Sequence, residues 1–377
     1  MNFEEWAAKP LLAAAGLATP EGRTVTTPSE ARAAAEAIGA CVVKAQAPTG
    51  KRGKAGGIKL AATPDEAEAS AAAILGMEID GHRIGRLLVE AQVPFEREFY
   101  AAVVNDFASK SPMVLFSTLG GMDVEQAAEQ DPNAMRRIPV DITRGLSAEE
   151  ARAALAGLDL GAAEGPTAEA LAQLYAAFRA HDAELLEVNP LALKPDGAVV
   201  ALDCKFTLDD SALPRQAALA ERGAPEPMTD IERDAAAAGL KYIELDGSVG
   251  VLANGAGLTM TTMDAITHYG GKPSNFLEVG GEAYTKAEEA LRILLRNPNI
   301  RSLLVNFCGA FARTDVMAAG VCAAWKSLKP DIPVFFTIHG TGEEEAIPLV
   351  ERELGIKPYD LMDDAVKAAV AAAEARA

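Results

Sequence analysis

Short apolar runs alternate with alanine-rich helical patterns along the whole chain. Strands and helices interleaved in this way predict an α/β architecture. Nine strands are predicted, at residues 41–46, 87–93, 98–104, 113–117, 185–188, 199–203, 249–253, 302–307 and 334–338. Helix starts are marked at Thr27, Thr63 and Ser147, because each of these capping hydroxyls precedes a glutamate by three positions.

The pattern changes character near the proline- and charge-rich stretch 221–232, which predicts a domain boundary. Upstream, hairpins mix with helices. Downstream, strand, glycine-containing turn and helix follow each other regularly, which predicts a doubly wound parallel sheet with its ligand side at the carboxyl ends of the strands. We therefore expect two domains, 1–230 and 231–377, the first α+β and the second α/β. The final stretch, 363–377, is predicted to be a surface helix.

Composition and charge exclude several classes of protein. The 377 residues are 49% hydrophobic and 24% charged, which is typical of a globular chain. The net charge of −19 disfavours nucleic acid as a partner. No apolar run approaches the roughly 20 residues of a membrane span, and the acidic N-terminus does not resemble a signal peptide. Four cysteines without paired spacing indicate reduced thiols in a cytoplasmic protein, at Cys41, Cys204, Cys308 and Cys322.

A glycine-rich basic loop at 50–57 follows the first predicted strand. Glycines let backbone amides approach a ligand closely, and basic side chains attract phosphate oxygens. The loop matches neither a Walker A motif nor GxGxxG, and a solvated surface turn is the alternative to a phosphate-binding loop. Lys44, inside the preceding strand, is interpreted either as an edge-strand lysine or as a phosphate-contacting lysine that lines a cleft.

A second candidate group lies on a predicted hairpin whose turn is at 194–197. A turn centred at residue 196 places Asn189 opposite Asp203 and Lys205 opposite Glu187. Glu187 shares a face with Asn189 because side chains alternate along a strand. Carboxylate and amide oxygens suit Mg²⁺ held together with nucleotide phosphates. The alternative is a solvated polar face with a Glu187–Lys205 pair.

Two glycine-containing turns in the second half, 254–257 and 309–312, each follow a predicted strand. A helix that begins there would present free amides and a positive dipole to a phosphate or carboxylate, although such turns also occur without a ligand. Among the histidines, His339 ends a strand on the predicted ligand side. The other three are predicted to have surface or packing roles, and no histidine has a partner at metal-ligand spacing.

Seven segments occur in the order and at about the spacing of one family: VVKAQ, RGKAGG, LLVEA, LLEVNPLAL, ALDCKF, LANGAGLTMTTMD and FLEVGG. Together they resemble the β subunit of succinyl-CoA synthetase and its relatives among the ADP-forming acid–CoA ligases. The resemblance covers essentially the whole chain. It implies an ATP-grasp nucleotide-binding region followed by a flavodoxin-like CoA-ligase domain.

The resemblance also implies a nucleotide site for ATP or GTP. Lys44, Arg52 and Gly53 match positions that bind the nucleotide phosphates, and Glu90 and Glu98 match positions at the adenine and ribose end. This assignment would make the basic loop part of the nucleotide site.

The remaining matched positions imply the metal and the chemistry. Asn189 and Asp203 match ligands of Mg²⁺, Glu187 a glutamate beside the phosphohistidine, and Asn254 a residue at the acid substrate. In this family the reaction passes through an acyl phosphate and a phosphohistidine. That histidine and most of the CoA site belong to an α subunit, so the resemblance implies half of an enzyme that needs CoA, a small carboxylic acid and a partner chain.

The sequence departs from the family pattern at the acid-binding turn. The usual FGGIVRCD is CGAFARTD here, so Ala310, Phe311 and Ala312 stand in place of glycine, isoleucine and valine. The basic loop reads PTGKRGK instead of HAGGRGK, and His339 replaces an acidic residue. The resemblance implies succinate as the first candidate for the acid substrate, and malate, citrate or another small acid is the alternative. Two further alternatives are a self-contained ATP-grasp ligase that joins an acid to an amine, and a non-catalytic nucleotide-sensing homologue.

Overall fold

The computed structural model describes residues 1–121, 135–224, 228–279 and 286–376. The chain divides into two compact units, Met1–Glu226 and Pro227–Ala377. Part of the predicted boundary stretch, residues 225–227, lies outside the described residues, as do the two glycines that end the FLEVGG segment. No described helix is both long enough and apolar enough to cross a bilayer.

The first unit contains twelve strands and six α-helices in its described part. The strands are β1 (Gly22–Val25), β2 (Cys41–Ala45), β3 (Ile58–Ala61), β4 (Glu78–Ile79), β5 (His82–Arg83), β6 (Leu87–Ala91), β7 (Arg97–Asp106), β8 (Ser111–Ser117), β9 (Met135–Pro139), β10 (Ala183–Leu193), β11 (Val199–Ala201) and β12 (Lys205–Leu208). The helices are α1 (Glu5–Ala14), α2 (Pro28–Ile38), α3 (Pro64–Ile74), α4 (Ala148–Leu155), α5 (Glu164–Ala180) and α6 (Ala217–Ala220).

A four-stranded antiparallel sheet in the order β1-β6-β2-β3 carries Lys44. Helices α2 and α3 pack on it, and their alanine faces join Val43 and Val89 in one core. The predicted cap at Thr27 is confirmed, since its hydroxyl accepts from the Glu30 amide. Because β2 lies between β6 and β3, the interpretation of Lys44 as an edge-strand lysine is wrong.

A second antiparallel sheet runs in the order β11-β10-β7-β8-β9, with β12 also paired to β10. The predicted hairpin register is confirmed, because Leu191 pairs with Ala201 and Glu187 pairs with Lys205. The partner strand is split into β11 and β12, and Asp203 lies in the break between them. Helices α1, α4 and α5 contribute to the core beneath this sheet.

The second unit contains β13 (Lys241–Glu244), β14 (Val249–Ala253), β15 (Asn275–Glu278), β16 (Ser302–Gly309) and β17 (Val334–Gly340). Its described helices are α7 (Asp230–Ala237), α8 (Ala256–His268), α9 (Ala287–Leu294), α10 (Thr314–Leu328), α11 (Glu343–Leu354) and α12 (Met362–Glu374). The sheet order is β13-β15-β14-β16-β17. Strands β15, β14, β16 and β17 are parallel, as predicted for the strands found in the sequence, and β13 is an antiparallel edge.

Helices cover both faces of this sheet. Helices α9 and α10 pack with Leu303 and Val305 in one core, whereas α8 and α12 pack with Val251 and Leu304 in another. The predicted C-terminal surface helix is confirmed as α12, which exposes Asp363 and Lys367 and packs its apolar face, with fully buried Val366, against the sheet. The alternating faces of a strand explain why neighbouring residues enter different cores.

Candidate nucleotide and acid sites

A cluster of buried charged side chains lies in the first unit, and we call it the ion cluster. It contains three cations and three carboxylates, which are Lys9, Lys44, Arg52, Glu5, Glu90 and Asp203. These side chains come from α1, β2, the loop after β2, β6 and the break between β11 and β12. All are at most 8% exposed except that of Asp203, which is 34% exposed. Burial of this kind is tolerated because the charges neutralise each other.

Lys44 uses all three of its ammonium protons inside the cluster. Its Nζ donates to Glu5 Oε1 at 2.9 Å, to Glu90 Oε2 at 2.6 Å and to the Leu202 carbonyl oxygen at 2.6 Å. Burial by itself would lower the pKa of Lys44, but the carboxylates of Glu5, Glu90 and Asp203 outweigh it and raise the pKa above its ordinary value. Lys44 is therefore a fixed cation.

The basic loop turns one of its side chains inward. Arg52 Nη1 donates to the Ala45 carbonyl oxygen at 2.9 Å, and Arg52 Nη2 donates to Asp203 Oδ1 at 2.6 Å. Gly53 is exposed at the surface of the loop. The carboxylates of Asp203 and Glu5 raise the pKa of Arg52 against the opposing effect of burial. The resemblance implied that this loop binds nucleotide phosphates, and in the structure its arginine side chain pairs with Asp203.

Glu5 contacts all three cations of the cluster. Its Oε1 lies 2.8 Å from Lys9 Nζ and 2.9 Å from Lys44 Nζ, and its Oε2 lies 2.8 Å from Arg52 Nη2. Among the described residues, Oε2 has no hydrogen-bond partner, so its contact with Arg52 is an ion pair without a well-aligned hydrogen bond. Burial would raise the pKa of Glu5, but the three cations hold it well below its usual range.

Glu90, predicted at the adenine and ribose end, is committed to the same cluster. Its carboxylate pairs with Lys44 and also accepts a short contact from Lys9 Nζ. The Leu202 carbonyl oxygen accepts from Lys9 at 2.9 Å as well as from Lys44. Two lysines thus hold the peptide that immediately precedes Asp203.

Glu98 and Asn189 meet at a pair of glycines after β8. Asn189 Oδ1 accepts from the Gly121 amide at 2.8 Å, and the Gly120 amide donates to the Glu98 carbonyl oxygen at 3.1 Å. A Cβ on Gly120 would lie 2.6 Å from the backbone of Glu98, so glycine is required for this approach. Both predicted residues are half-buried and border the same loop.

Glu187 and the two predicted metal ligands lie on the β10 hairpin. Tyr100 Oη donates to Glu187 Oε2 at 3.4 Å. Asp203 Oδ1 accepts from the Cys204 amide at 2.7 Å in addition to Arg52. Among the described residues, no group of three or more histidine, cysteine, aspartate or glutamate side chains is arranged to hold a metal. The two predicted metal ligands, Asn189 and Asp203, are thus one amide and one carboxylate on the same hairpin.

In the second unit, Asn254 joins the ends of two neighbouring strands. Its Nδ2 donates to the Cys308 carbonyl oxygen at 2.8 Å, and its Oδ1 accepts from the Cys308 amide at 2.7 Å. The next residue, Gly255, has φ +83° and precedes α8. The first turn of α8 contains no acidic residue, so its free amides suit an anion. The carboxamide holds β14 to β16 at this edge.

The predicted acid-binding turn follows β16 at the same edge of the sheet. Phe311 is 85% exposed, Ala310 is exposed and Ala312 is buried. The Thr341 amide donates to the Gly309 carbonyl oxygen at 3.0 Å, so the two adjoining turns are tied together. The turn therefore presents one large apolar side chain from a fixed backbone.

The described ring contacts of His339 are with Asp360 and Glu343, not with either of these turns. Its Nε2 lies 2.8 Å from the Asp360 carbonyl oxygen, and its Nδ1 lies 3.9 Å from Glu343 Oε2. Glu343 begins α11, which has three acidic residues in its first turn. This helix start is accordingly unsuited to an anion, in contrast to that of α8.

Two members of the ion cluster, Glu5 and Lys9, were not predicted from the sequence. A glutamate and a lysine four residues apart on a helix are typical of an exposed surface pair. The available signal was their position on α1, a helix that also has the buried residues Ala8 and Leu12. That position indicates burial of Glu5 and Lys9 only once the packing of α1 near β2 and β6 is known.

Comparison with known proteins adds family and fold. The ATP-grasp domain model matches residues 2–193, and the CoA-ligase model matches residues 252–370. The succinate–CoA ligase [ADP-forming] subunit beta of Rubrobacter xylanophilus is 43% identical over 98% of this chain and 98% of its own length. The succinate–CoA ligase [GDP-forming] subunit beta of Thermus thermophilus is 40% identical over 98% of each chain.

Among solved structures, an ATP citrate lyase from Methanothrix soehngenii in complex with citrate and coenzyme A superimposes with a TM-score of 0.76. The match covers 98% of this chain and 99% of that chain at 22% identity. At this identity the likeness concerns the fold alone. The predicted order, an ATP-grasp region followed by a CoA-ligase region, is confirmed.

Proposed function

Because the chain belongs to the family of succinate–CoA ligase β subunits, we propose that it is the nucleotide-binding β subunit of an ADP-forming acid–CoA ligase. The observation that carries the proposal is the ion cluster, in which buried Arg52 pairs with the partly exposed carboxylate of Asp203 and buried Lys44 contacts the carbonyl oxygen of the preceding Leu202. An ATP-grasp region with fixed cations beside an oxygen ligand is suited to a nucleotide and its metal. ATP and GTP are both open, since relatives form ADP or GDP.

We assign the nucleotide site to the residues that border this convergence. Lys44, Arg52 and Gly53 would meet the phosphates, and Glu98 the ribose end. Glu90 would act at that end through its backbone or through the lysines that it holds, because its carboxylate already pairs with Lys44 and Lys9.

Asn189 and Asp203 fit a Mg²⁺ ion, because an amide oxygen and a carboxylate are hard oxygen donors. Asn189 Oδ1 accepts a hydrogen bond from the Gly121 amide, and Asp203 Oδ1 accepts one from the Cys204 amide. These bonds fix the directions of the two oxygens. When bound, the ion would neutralise phosphate charge and orient the transferred group. The chain's own part is to aim the two oxygens and to hold Arg52 close by.

The partner would be an α subunit that carries a phosphohistidine and most of the CoA site. In the synthetic direction the terminal phosphoryl group passes from the nucleotide to that histidine, then to the acid carboxylate. The CoA thiol attacks the resulting acyl phosphate and releases phosphate. Glu187 would lie beside the histidine at the nucleotide, and the α8 start after Asn254 would stabilise its charge at the acid site.

Succinate is the leading acid, and malate or citrate is the second candidate because of Phe311. This side chain is 85% exposed at the turn assigned to the acid. One methylene in a pocket is worth about 1–3 kcal/mol of discrimination, and a phenylalanine in place of isoleucine puts a longer, planar ring at this turn. Ala310 and Ala312 complete the turn. A non-catalytic nucleotide-sensing role predicts nucleotide and partner binding without thioester formation.

We place the enzyme in the cytoplasm, which the four free cysteines support. Of these thiols, Cys41, Cys204 and Cys322 are buried and Cys308 is exposed. An oxidising compartment would favour pairing of exposed thiols. The domain limits 1–230 and 231–377 remain our assignment.

The test is purification of the tagged chain with its partner from the native host, followed by an acid panel with CoA and Mg·ATP. We expect one acid to drive CoA-dependent ADP formation. Asp203→Ala should abolish nucleotide-dependent phosphorylation of the partner histidine while leaving assembly intact. Asp196→Ala, on the exposed turn of the same hairpin, is the matched control and should behave as wild type. Wild-type phosphorylation by Asp203→Ala would refute the site.

The same acid panel distinguishes succinate from malate and citrate as the substrate. Phe311→Ile should shift the ratio of kcat/KM for succinate over malate and citrate by at least about tenfold. If neither variant nor wild type turns over any acid while nucleotide and partner bind, the nucleotide-sensing role replaces the ligase.

A further inference from the structure

Helix α1 supplies Glu5 and Lys9 to the ion cluster, although no motif assigns either residue a role. We propose that Glu5 is a positioning residue that holds Lys44 and Arg52 in the orientation in which both receive nucleotide phosphates. The inference rests on the proposed function, and it adds a residue from outside the segments that carry the nucleotide site.

Glu5 lies deep inside the ion cluster, away from solvent. Its side chain is 0% exposed, and it contacts all three cations. A group enclosed in this way does not touch a ligand, so any effect on nucleotide binding must pass through Lys44 and Arg52. Lys9 acts beside it, because it neutralises Glu90 and holds the Leu202 carbonyl oxygen.

The direction of ligand access is the second step. Asp203 is the most exposed member of the cluster, so phosphates approach from its side. There they can replace Asp203 on Arg52 and the Leu202 carbonyl oxygen on Lys44. Glu5 and Glu90, on the far side, retain their contacts while this exchange takes place. The Asp203 carboxylate, no longer paired with Arg52, would then be available as a ligand of a Mg²⁺ ion.

The charge balance is the third step. Without the Glu5 carboxylate, three cations face two carboxylates in a region that excludes water. Repulsion between Lys9, Lys44 and Arg52 is strong there, and long side chains that lose a fixed acceptor regain rotational freedom. Both effects would raise the free energy needed to align the Lys44 and Arg52 side chains for a phosphate.

A structural role alone predicts a different result from a positioning role. If Glu5 only stabilises the fold, its loss lowers the unfolding temperature but leaves nucleotide affinity unchanged in the folded enzyme. If it positions the cations, nucleotide affinity falls while the KM values for acid and CoA are retained. The two readouts separate these cases.

The experiment uses the full chain in complex with its co-purified partner, at a temperature well below unfolding. Titration calorimetry measures the binding of Mg·ADP, and steady-state kinetics gives KM for nucleotide, acid and CoA. For Glu5→Gln we expect nucleotide affinity to fall by at least about tenfold, with the KM values for acid and CoA unchanged. Glu4→Gln is the matched control, since the adjacent Glu4 pairs with Arg86 outside the cluster.

Each outcome is decisive. Wild-type affinity in a folded Glu5→Gln overturns the positioning role and leaves the proposed function intact. A wild-type complex that does not bind Mg·ADP overturns both. If Glu5→Gln does not fold, Glu5→Asp keeps the charge but shortens the side chain, and it should show the same selective loss; wild-type affinity in that variant would overturn the inference.

Discussion

The two units stabilise the strand ends next to their candidate sites with different chemistry. The first unit uses the ion cluster, in which every polar contact of Lys44 is to a carboxylate or a carbonyl oxygen. The second unit uses neutral amides and hydroxyls. There Asn306 Nδ2 donates to Thr262 Oγ1 at 2.8 Å, and Thr337 Oγ1 donates to Asn306 Oδ1 at 2.6 Å, all buried.

Two further asparagine side chains of the second unit also link strands through neutral hydrogen bonds. Asn275 bonds both backbone groups of Val251, at 2.8 and 3.0 Å, and so links β15 to β14. Asn254 does the same with Cys308 between β14 and β16. A neutral network has one arrangement and does not respond to charge, so it suits a rigid anion-binding edge.

The ion cluster differs because its members can exchange partners with a charged ligand. Arg52 can leave Asp203 for a phosphate, and Asp203 can then turn to a cation. Such a cluster makes a weak contribution to stability as a whole, but removal of one partner leaves a buried uncompensated charge. The comparison teaches that one unit is built to respond to charge and the other to remain fixed.

The two tryptophans allow the units to be followed separately. Trp6 packs against the core of the first unit, and Trp325 against that of the second. In a Trp325→Phe background the fluorescence reports the first unit, and in Trp6→Phe it reports the second. Urea unfolding in these two backgrounds measures each of the effects below.

The largest effect is expected from Lys44→Met, because Glu5 and Glu90 would remain buried with one cation fewer. The free energy of unfolding of the first unit should fall by about 3–5 kcal/mol, measured by Trp6 fluorescence. Lys194→Met is the control, since its ion pair with Asp196 is at the surface; it should cost at most about 1 kcal/mol. Equal losses for the two variants would contradict the importance of burial.

A smaller effect is expected from Asn306→Leu, which breaks the neutral network in β16. The Thr337 hydroxyl would lose its acceptor in a buried place, at a cost of about 1–3 kcal/mol, measured by Trp325 fluorescence. Adding Thr337→Val removes the unsatisfied hydroxyl and should recover part of the loss. A loss as large as that of Lys44→Met, or no recovery in the double variant, would erase the difference between the units.

The smallest effect concerns pH. The pKa of Glu5 in the folded chain lies well below its unfolded value of about 4.5. Its contribution is therefore complete above that value and is lost progressively as the pH falls below it. The stability of the first unit should decrease between pH 5 and pH 3 more steeply in wild type than in Glu5→Gln. Parallel curves would show that Glu5 is not held ionised by its cations.

Local patterns predicted much of the fold. Alternating apolar runs located nine strands, and the turn at residue 196 predicted the register that pairs Glu187 with Lys205. Eight described strands were not predicted, and each has at most five residues, too few for a clear apolar pattern: β1, β3, β4, β5, β9, β12, β13 and β15. The resemblance to a family supplied the site assignments.

The sequence alone determined the alternation of its longer strands with helices, the hairpin register and the glycine turns, because these depend on neighbours a few positions apart. The tertiary structure decided which charged side chains are buried together. Glu5 and Lys9 form an ordinary helix pair in the sequence, and only the packing of α1 near β2 and β6 buries them beside Lys44. An electrostatic interaction depends on the surrounding dielectric, and that environment is created by segments far apart along the chain.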